Sequence, residues 1–381
     1  MSETLTIKNF GPIDKVVLEL RAVNILIGDQ STGKSTMAKI LSVIKEVTAF
    51  PEKNLSINGK PATNDQIMNV FLDDFRNYLE FFGIRNYLRI ESFIEFTDSF
   101  VYFRYENQKI DIKTISDSTK NKKTHLAGYI PAYREAAILL KDSLFGLAAL
   151  KAPLPQYFYS FGQNVSNAKK AKSLYNYTDI LGIKYKYKGD DDIIIMKDGK
   201  EIAIEDASSA INSAIPLLLV FDNAVESVYP TGNRIYHNAN SPYIIIEEPE
   251  LNCFPTTQKK MMEHFLSKMK YETSTGFDYY CRLVITTHSP YILTSLNNLM
   301  YAYDVGQKEA DEVNKIIDKK YWINPDDVSA YMLLPDGNCE DILNRDENLI
   351  AAEKIDGVST EINEDFNSLI NIEIGVKDEK Y

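Results

Sequence analysis

Three short apolar runs set the plan of the chain. Val23-Asn-Ile-Leu-Ile27, Pro242-Tyr-Ile-Ile-Ile246 and Arg282-Leu-Val-Ile-Thr286 are almost unbroken by polar residues. That pattern fits strands buried on both faces of a parallel sheet rather than half-exposed ones. After the first run, Met37, Ile40, Leu41 and Ile44 fall at i, i+3, i+4 and i+7 and predict a helix with one buried face. Between the second and third, Met262, Phe265, Leu266 and Met269 predict another, which completes a strand, helix, strand unit. Elsewhere the period changes to two. Phe93-Ile-Glu-Phe-Thr-Asp-Ser-Phe-Val-Tyr-Phe-Arg104 typifies Tyr- and Phe-rich alternating stretches between about 50 and 127, which read as antiparallel strands extending the first lobe. Residues 135–200 read as a small second lobe, with a helical pair around Pro153 and Pro155 and then KYKYKGDDDIIIMKDGKEI, a hairpin turning at Lys197-Asp-Gly-Lys.

The ends of the apolar runs carry the candidate chemistry. The first runs into Gly28-Asp29-Gln30-Ser31-Thr32-Gly33-Lys34-Ser35-Thr36, which fits the phosphate-loop pattern G-x-x-x-x-G-K-[ST] between a strand and a helix. Its glycines let backbone N–H groups converge on phosphate oxygens, and the helix N-terminus adds positive dipole at the same point. Lys34 would reach the β and γ phosphates and the Ser35 hydroxyl would sit on Mg²⁺. The second run ends in Glu247-Glu248-Pro249-Glu250 and the third in Thr287-His288-Ser289-Pro290. Acids and a histidine therefore emerge at the carboxyl ends of strands, where open α/β sheets bind ligands.

Composition narrows the partners. A chain of 381 residues with 44% hydrophobic content can bury a large core. Its 54 acidic and 42 basic residues give a net charge of −12, which supplies no overall electrostatic footprint for nucleic acid. Lys169-Lys-Ala-Lys172 and Lys120 to Lys123 are local basic patches that could touch nucleic acid and read more simply as solvated loops. Cys253, Cys281 and Cys339 are too few and scattered for a disulfide framework or zinc site and fit a reducing compartment. No basic leader or membrane-length apolar segment stands out, so a cytoplasmic location with no membrane partner is expected.

Taken in order, these motifs resemble the ABC-type ATPases of the RecF, SMC and OLD-like group, particularly compact AAA-family ATP-binding proteins of bacterial defence operons. LTIKNFGPIDKVVLEL resembles their first hairpin, GDQSTGKST the Walker A loop, IIIEEPELNCFP the Walker B segment and D-loop, and VITTHSPYIL the switch histidine. The resemblance implies an α/β fold, an ABC-type P-loop ATPase with a mixed sheet, flanking helices and a small second lobe. Residues 1–134 and 201–381 would form the ATPase core, including a C-terminal cap, and residues 135–200 the second lobe. ATP and Mg²⁺ are the implied cofactors. Glu247 would hold the metal's water shell together with Ser35, Glu248 would polarise the attacking water, and His288 would contact the γ phosphate. Arg134, in YIPAYREA, is a polar candidate near the nucleotide.

The resemblance also implies a signature loop acting in trans across a homodimer or higher homo-oligomer. Ser208, Ser209, Ala210 and Asn212 are its best match. The two serines are natural N-caps for a helix with the face Ile211, Ile215 and Leu218, which Pro216 would kink. The family more often has glycine where Ala210 stands, glutamine at Asn212 and aspartate at Glu247. Beyond ATP, the implied partner is an effector, a nuclease or toxin from the same operon in anti-phage defence. A RecF-like DNA repair ATPase and a slow nucleotide sensor that holds such an effector inactive remain open as alternatives. WINPDDVSAYML and the acidic end after it read as a cap on the sheet.

Overall fold

A computed structural model describes residues 3–49, 56–57, 60–115, 126–140, 143, 146, 154–189, 191–228, 242–273 and 276–351. The chain opens with a hairpin of β1 (Glu3–Phe10) and β2 (Ile13–Leu20), then enters the central sheet through β3 (Val23–Gly28) and leaves it by helix α1 (Lys34–Thr48). Next comes a helix that the alternating pattern concealed, α2 (Asn64–Phe81). Its signals were present: Thr63 and Gln66 form a reciprocal capping box, and Phe71, Phe75 and Leu79 line one face. Phe75 packs on Phe103 and Tyr105 with ring centroids 5.6 and 5.1 Å away. The alternating residues form β4 (Leu88–Thr97), β5 (Val101–Glu106) and β6 (Lys109–Thr114), as expected. They complete a five-stranded antiparallel sheet ordered β2-β1-β4-β5-β6.

The chain returns to the central sheet through β7 (Leu126–Ile130), then forms α3 (Gln156–Ala171). A second antiparallel sheet follows, made of β8 (Leu174–Tyr177), β9 (Ile183–Lys188), β10 (Asp191–Met196) and β11 (Glu201–Ala203) in that order. The expected turn at residues 197–200 joins β10 to β11, with Lys200 accepting a hydrogen bond from the Met196 amide at 2.9 Å. Lys169 is buried against Asp192 at 2.8 Å and Lys172 pairs with Glu226, so two lysines of that patch are already neutralised on a helix end rather than free on a loop. Lys120 to Lys123, Pro153 and the part of the acidic end after residue 351 lie outside the described residues.

Helix α4 (Ser209–Val228) carries Pro216 in its interior, the position at which a kink was expected. Contrary to the sequence reading, it is long and apolar enough to cross a membrane, but 72% of that window is buried inside the protein. Then come β12 (Tyr243–Glu247), α5 (Pro255–Met269), β13 (Arg282–Thr287), α6 (Pro290–Ile316), β14 (Val328–Leu333) and β15 (Cys339–Asp341). The central sheet is ordered β15-β14-β3-β13-β12-β7, parallel except at β15. WINPDDVSAYML is therefore no simple cap, because its second half is a strand beside β3. The residues expected on the buried faces of α1 and α5 are all 2% exposed or less.

A buried charge network ties the two large sheets together. Lys45, from the last turn of α1, contacts Glu3 at 2.7 Å and Asp98 at 3.5 Å, and Arg282 reaches Glu3 at 3.3 Å. The Tyr243 hydroxyl donates to the same Glu3 carboxylate at 2.6 Å. Burial alone would raise the Glu3 pKa, but Lys45, Arg282 and the hydrogen bonds outweigh it and hold the carboxyl below its ordinary value. The stabilisation it contributes is therefore present at neutral pH and lost only as pH falls below the ordinary glutamate range. Lys45→Ala should lower the unfolding free energy by about 3 kcal/mol, since it strands a buried carboxylate. Urea denaturation at pH 7 measures this, and the deficit should shrink in acid.

Candidate functional site

Register places the candidate residues. Ile27 pairs with Thr287 across β3 and β13, and Glu247 pairs with Thr286 across β12 and β13. The residues after each strand consequently leave the sheet at one edge. They border a cleft of about 820 Å³, lined by Gln30, Ser31, Gly33, Lys34, Ser35 and Thr36 from the loop, by Glu248, Glu250, Leu251 and His288, and by Pro12 and Tyr87.

The loop is shaped before any ligand binds. Gly28 has φ +148, and a Cβ there would lie 2.3 Å from the Leu333 carbonyl oxygen, so only glycine fits against β14. Thr32 donates its hydroxyl hydrogen to the Asp29 carbonyl at 2.9 Å. Lys34 reaches back to the carbonyls of Gly28 and Asp29 at 2.8 and 2.6 Å. Burial pushes its pKa down, against the opposing pull of Glu248, Asp29 and Glu250.

Glu248 carries backbone strain, with φ +45 in a non-glycine residue. Its amide is pinned to the Thr286 carbonyl at 2.8 Å, and its carboxylate stands 3.7 Å from His288 Nε2. Both side chains remain partly solvent-accessible, at 25% and 34%. That is the exposure expected of groups that meet a ligand or a water. Glu247 is different. It is 2% exposed and lies behind the cleft wall; Oε2 accepts from the Ala132 amide at 3.3 Å, and Oε1 is buried without a hydrogen-bond partner. Tyr129 stands near enough to feel the Glu247 charge without forming a well-shaped hydrogen bond; its pKa is raised well above the ordinary range by burial first and by that charge second.

The orphaned Glu247 oxygen, together with the Ser35 hydroxyl that lines the cleft, fits the hydrated cation that the sequence implies. Among the described residues no group of three His, Cys, Asp or Glu side chains could hold a metal ion alone. Mg²⁺ here would need its remaining ligands from phosphate and water, as is usual for this ion.

Arg134 does not line the cleft itself but packs directly behind Glu248, which does. Its guanidinium is fully buried and donates to the carbonyls of Ser213, Glu247 and Glu248 at 3.0 Å each and of Pro249 at 3.2 Å. Burial lowers its pKa to about 10, leaving it cationic at neutral pH. It is a brace for the turn that presents Glu248, which puts the expected polar candidate behind the cleft lining rather than in it. Glu250, third acid of the Glu247–Glu250 segment, is a second brace: one carboxylate oxygen accepts from the Thr287 hydroxyl and from the His288 amide, both at 2.7 Å.

Ser208, Ser209, Ala210 and Asn212 do not line the cleft. Ser208 does cap α4, its hydroxyl accepting from the Ile211 amide at 3.5 Å and its carbonyl from the Asn212 amide at 3.0 Å. Within one chain the structure therefore brings together the phosphate loop, Glu248 and His288, and leaves the serine stretch apart.

Residues 141–293 match the family described as AAA ATPase domain. Over that span the chain is similar to AAA ATPase domains. The matched span includes the serine stretch, Glu247, Glu248 and His288, and begins after the phosphate loop. No curated protein matches. Among solved structures, the SMC head domain from Thermotoga maritima is 12% identical, covering 77% of this chain and 92% of that one at a TM-score of 0.39. An Smc head with an extended coiled coil, bound to the C-terminal domain of ScpA derived from Pyrococcus furiosus, is 10% identical, covering 94% and 98% at 0.40. RecF with ATPrS, the recombination mediator of the RecFOR pathway, is also 10% identical, covering 90% and 98% at 0.36.

Arg134→Lys cannot reproduce the fork that holds the carbonyls of Ser213, Glu247, Glu248 and Pro249, and should lower stability by about 2 kcal/mol or more by leaving buried carbonyls unpaired. Thermal unfolding of the purified variant checks this. An unchanged midpoint would mean that the turn holds itself.

Proposed function

We propose that the chain binds ATP with Mg²⁺ in this cleft and hydrolyses it. The observation that carries the reading is the convergence of Lys34, Ser35, Glu248 and His288 on one cavity at the strand tips. The loop amides and Lys34 hold the phosphate chain, and Glu248 takes the proton from a water as its oxygen attacks the γ phosphorus. The bond to the β–γ bridging oxygen breaks and ADP leaves. His288 donates a hydrogen bond to the γ phosphate. When bound, Mg²⁺ neutralises charge on the phosphate oxygens, and Ser35 and Glu247 are the residues that would hold it.

In this reading residues 1–134 and 201–381 are the ATPase core and residues 135–200 the small second lobe. The site is completed in trans: the exposed γ phosphate is covered by Ser208, Ser209, Ala210 and Asn212 of a second copy, and twofold symmetry makes the same contact twice. Their separation from the cleft within one chain supports this. The resulting switch in shape serves an effector, a nuclease or toxin, in cytoplasmic anti-phage defence, a role that rests on motif resemblance. The free thiols of Cys253, Cys281 and Cys339 agree with a reducing compartment. The net charge of −12 and the internal pairing of Lys169 and Lys172 favour this reading over a DNA repair role.

Assembly tests it. The variant Glu248→Gln, which keeps the shape of the side chain, should sediment or scatter as a dimer or larger species with ATP and as a smaller one with ADP. Ser209→Arg should bind ATP within about threefold of the wild type and lose hydrolysis at least about a hundredfold, the scale of removing a group that stabilises transition-state charge. Normal turnover by Ser209→Arg would make the serine stretch a helix cap only and would end the dimer proposal.

A further inference from the structure

The walls of the cleft differ in chemistry. One is acidic and polar, with Glu248, Glu250 and His288. Another runs from the phosphate loop to an aromatic ring: a Cβ at Gly33 would sit 3.3 Å from Pro12 Cγ, and the chain preceding Pro12 carries Tyr87 on its backbone. Gly11 has φ +55, and a Cβ there would fall 2.6 Å from Tyr87 Cδ2 and 2.7 Å from Cγ, so the ring lies directly on the glycine. The Gly11 amide donates to the Tyr87 carbonyl at 3.1 Å, and Phe10 meets the ring edge-on with centroids 6.1 Å apart. Tyr87 also closes the 3₁₀ turn Arg85–Tyr87, its amide donating to the Ile84 carbonyl at 3.1 Å.

The ring is thus fixed in place from beneath, yet 41% of the residue stays exposed on the cleft wall. An anchored, partly exposed aromatic ring lining the same cleft as the phosphate loop is complementary to the one flat apolar group that a nucleoside triphosphate carries. With the γ phosphate turned toward Glu248 and His288, the opposite end of the ligand has Pro12 and Tyr87 to rest on.

We infer that Tyr87 is the stacking platform for the base of the bound nucleotide, and that the site takes purine nucleoside triphosphates as a class. The inference rests on the nucleotide reading proposed above and adds the base subsite to it. Stacking uses the face of the base and is tolerant of its edge, so ATP and GTP are held alike, while the smaller ring of UTP covers less of the tyrosine.

Calorimetric titration of the full chain with ATP, GTP, UTP and inorganic tripolyphosphate, each with Mg²⁺, tests this. The wild type should bind ATP and GTP with similar affinity and UTP more weakly. Tyr87→Ala should weaken ATP and GTP roughly tenfold or more and leave tripolyphosphate within about twofold. Tyr87→Phe, which keeps the ring, should restore the affinity for ATP. Equal loss of ATP and tripolyphosphate in Tyr87→Ala would show that the residue only shapes the loop, and unchanged ATP affinity would remove it from the site; either overturns the inference. Failure of the wild type to bind even tripolyphosphate would instead sink the underlying nucleotide reading.

Discussion

Everything at the cleft depends on the hydrogen-bond register of three adjacent parallel strands, β3, β13 and β12. Parallel pairing makes their carboxyl ends leave the sheet on one side, and the pairs Ile27 with Thr287 and Glu247 with Thr286 bring those ends level. A slip of one residue on β13 would carry His288 along the sheet by about 3.3 Å and turn its side chain to the other face. Ile244, Ile245, Val284 and Ile285 are fully buried, so both faces of these strands are covered.

Register alone leaves the tips as loops, and loops need fixing. Arg134 gathers carbonyls from both sides of Glu248, and Glu250 takes two donors at the start of the segment bearing His288. The positive φ of Glu248 is tolerable because its amide and its carbonyl are both held. At the other end of α1, Lys45 joins the phosphate-loop helix to Glu3 and Asp98 of the antiparallel sheet and, through Glu3, to Tyr243 and Arg282 of the central one. The helix that begins in the cleft is therefore tied into both sheets where it ends.

What the sequence reveals is what is local. The phosphate loop, the apolar runs and the helical faces of α1 and α5 each fit within some fifteen residues, and the structure has these elements where the patterns place them. Arg134 could not be assigned correctly because its partner carbonyl at Glu247 is 113 residues away, and a backbone oxygen leaves no mark in a sequence. Glu250 was visible as one acid among three in EEPE, but its clamp depends on residues 37 and 38 positions further on. Tyr87 reaches the cleft through the turn of a different sheet. Helix α2 was hidden by its Tyr- and Phe-rich surroundings, although its capping box was readable. β14 was taken for a cap because one apolar segment cannot say which strand it will pair with.

If the cleft hydrolyses a nucleotide as we propose, Glu248 moves the water's proton. A single-turnover experiment addresses it most directly: excess protein, a trace of γ-labelled ATP with Mg²⁺, and bound and released label followed in the wild type and in Glu248→Gln. The account predicts that both bind the label and that only the wild type releases phosphate at an appreciable rate, with the variant slower by at least about a hundredfold. Equal release by the two proteins would contradict it, as would failure of either to bind the label.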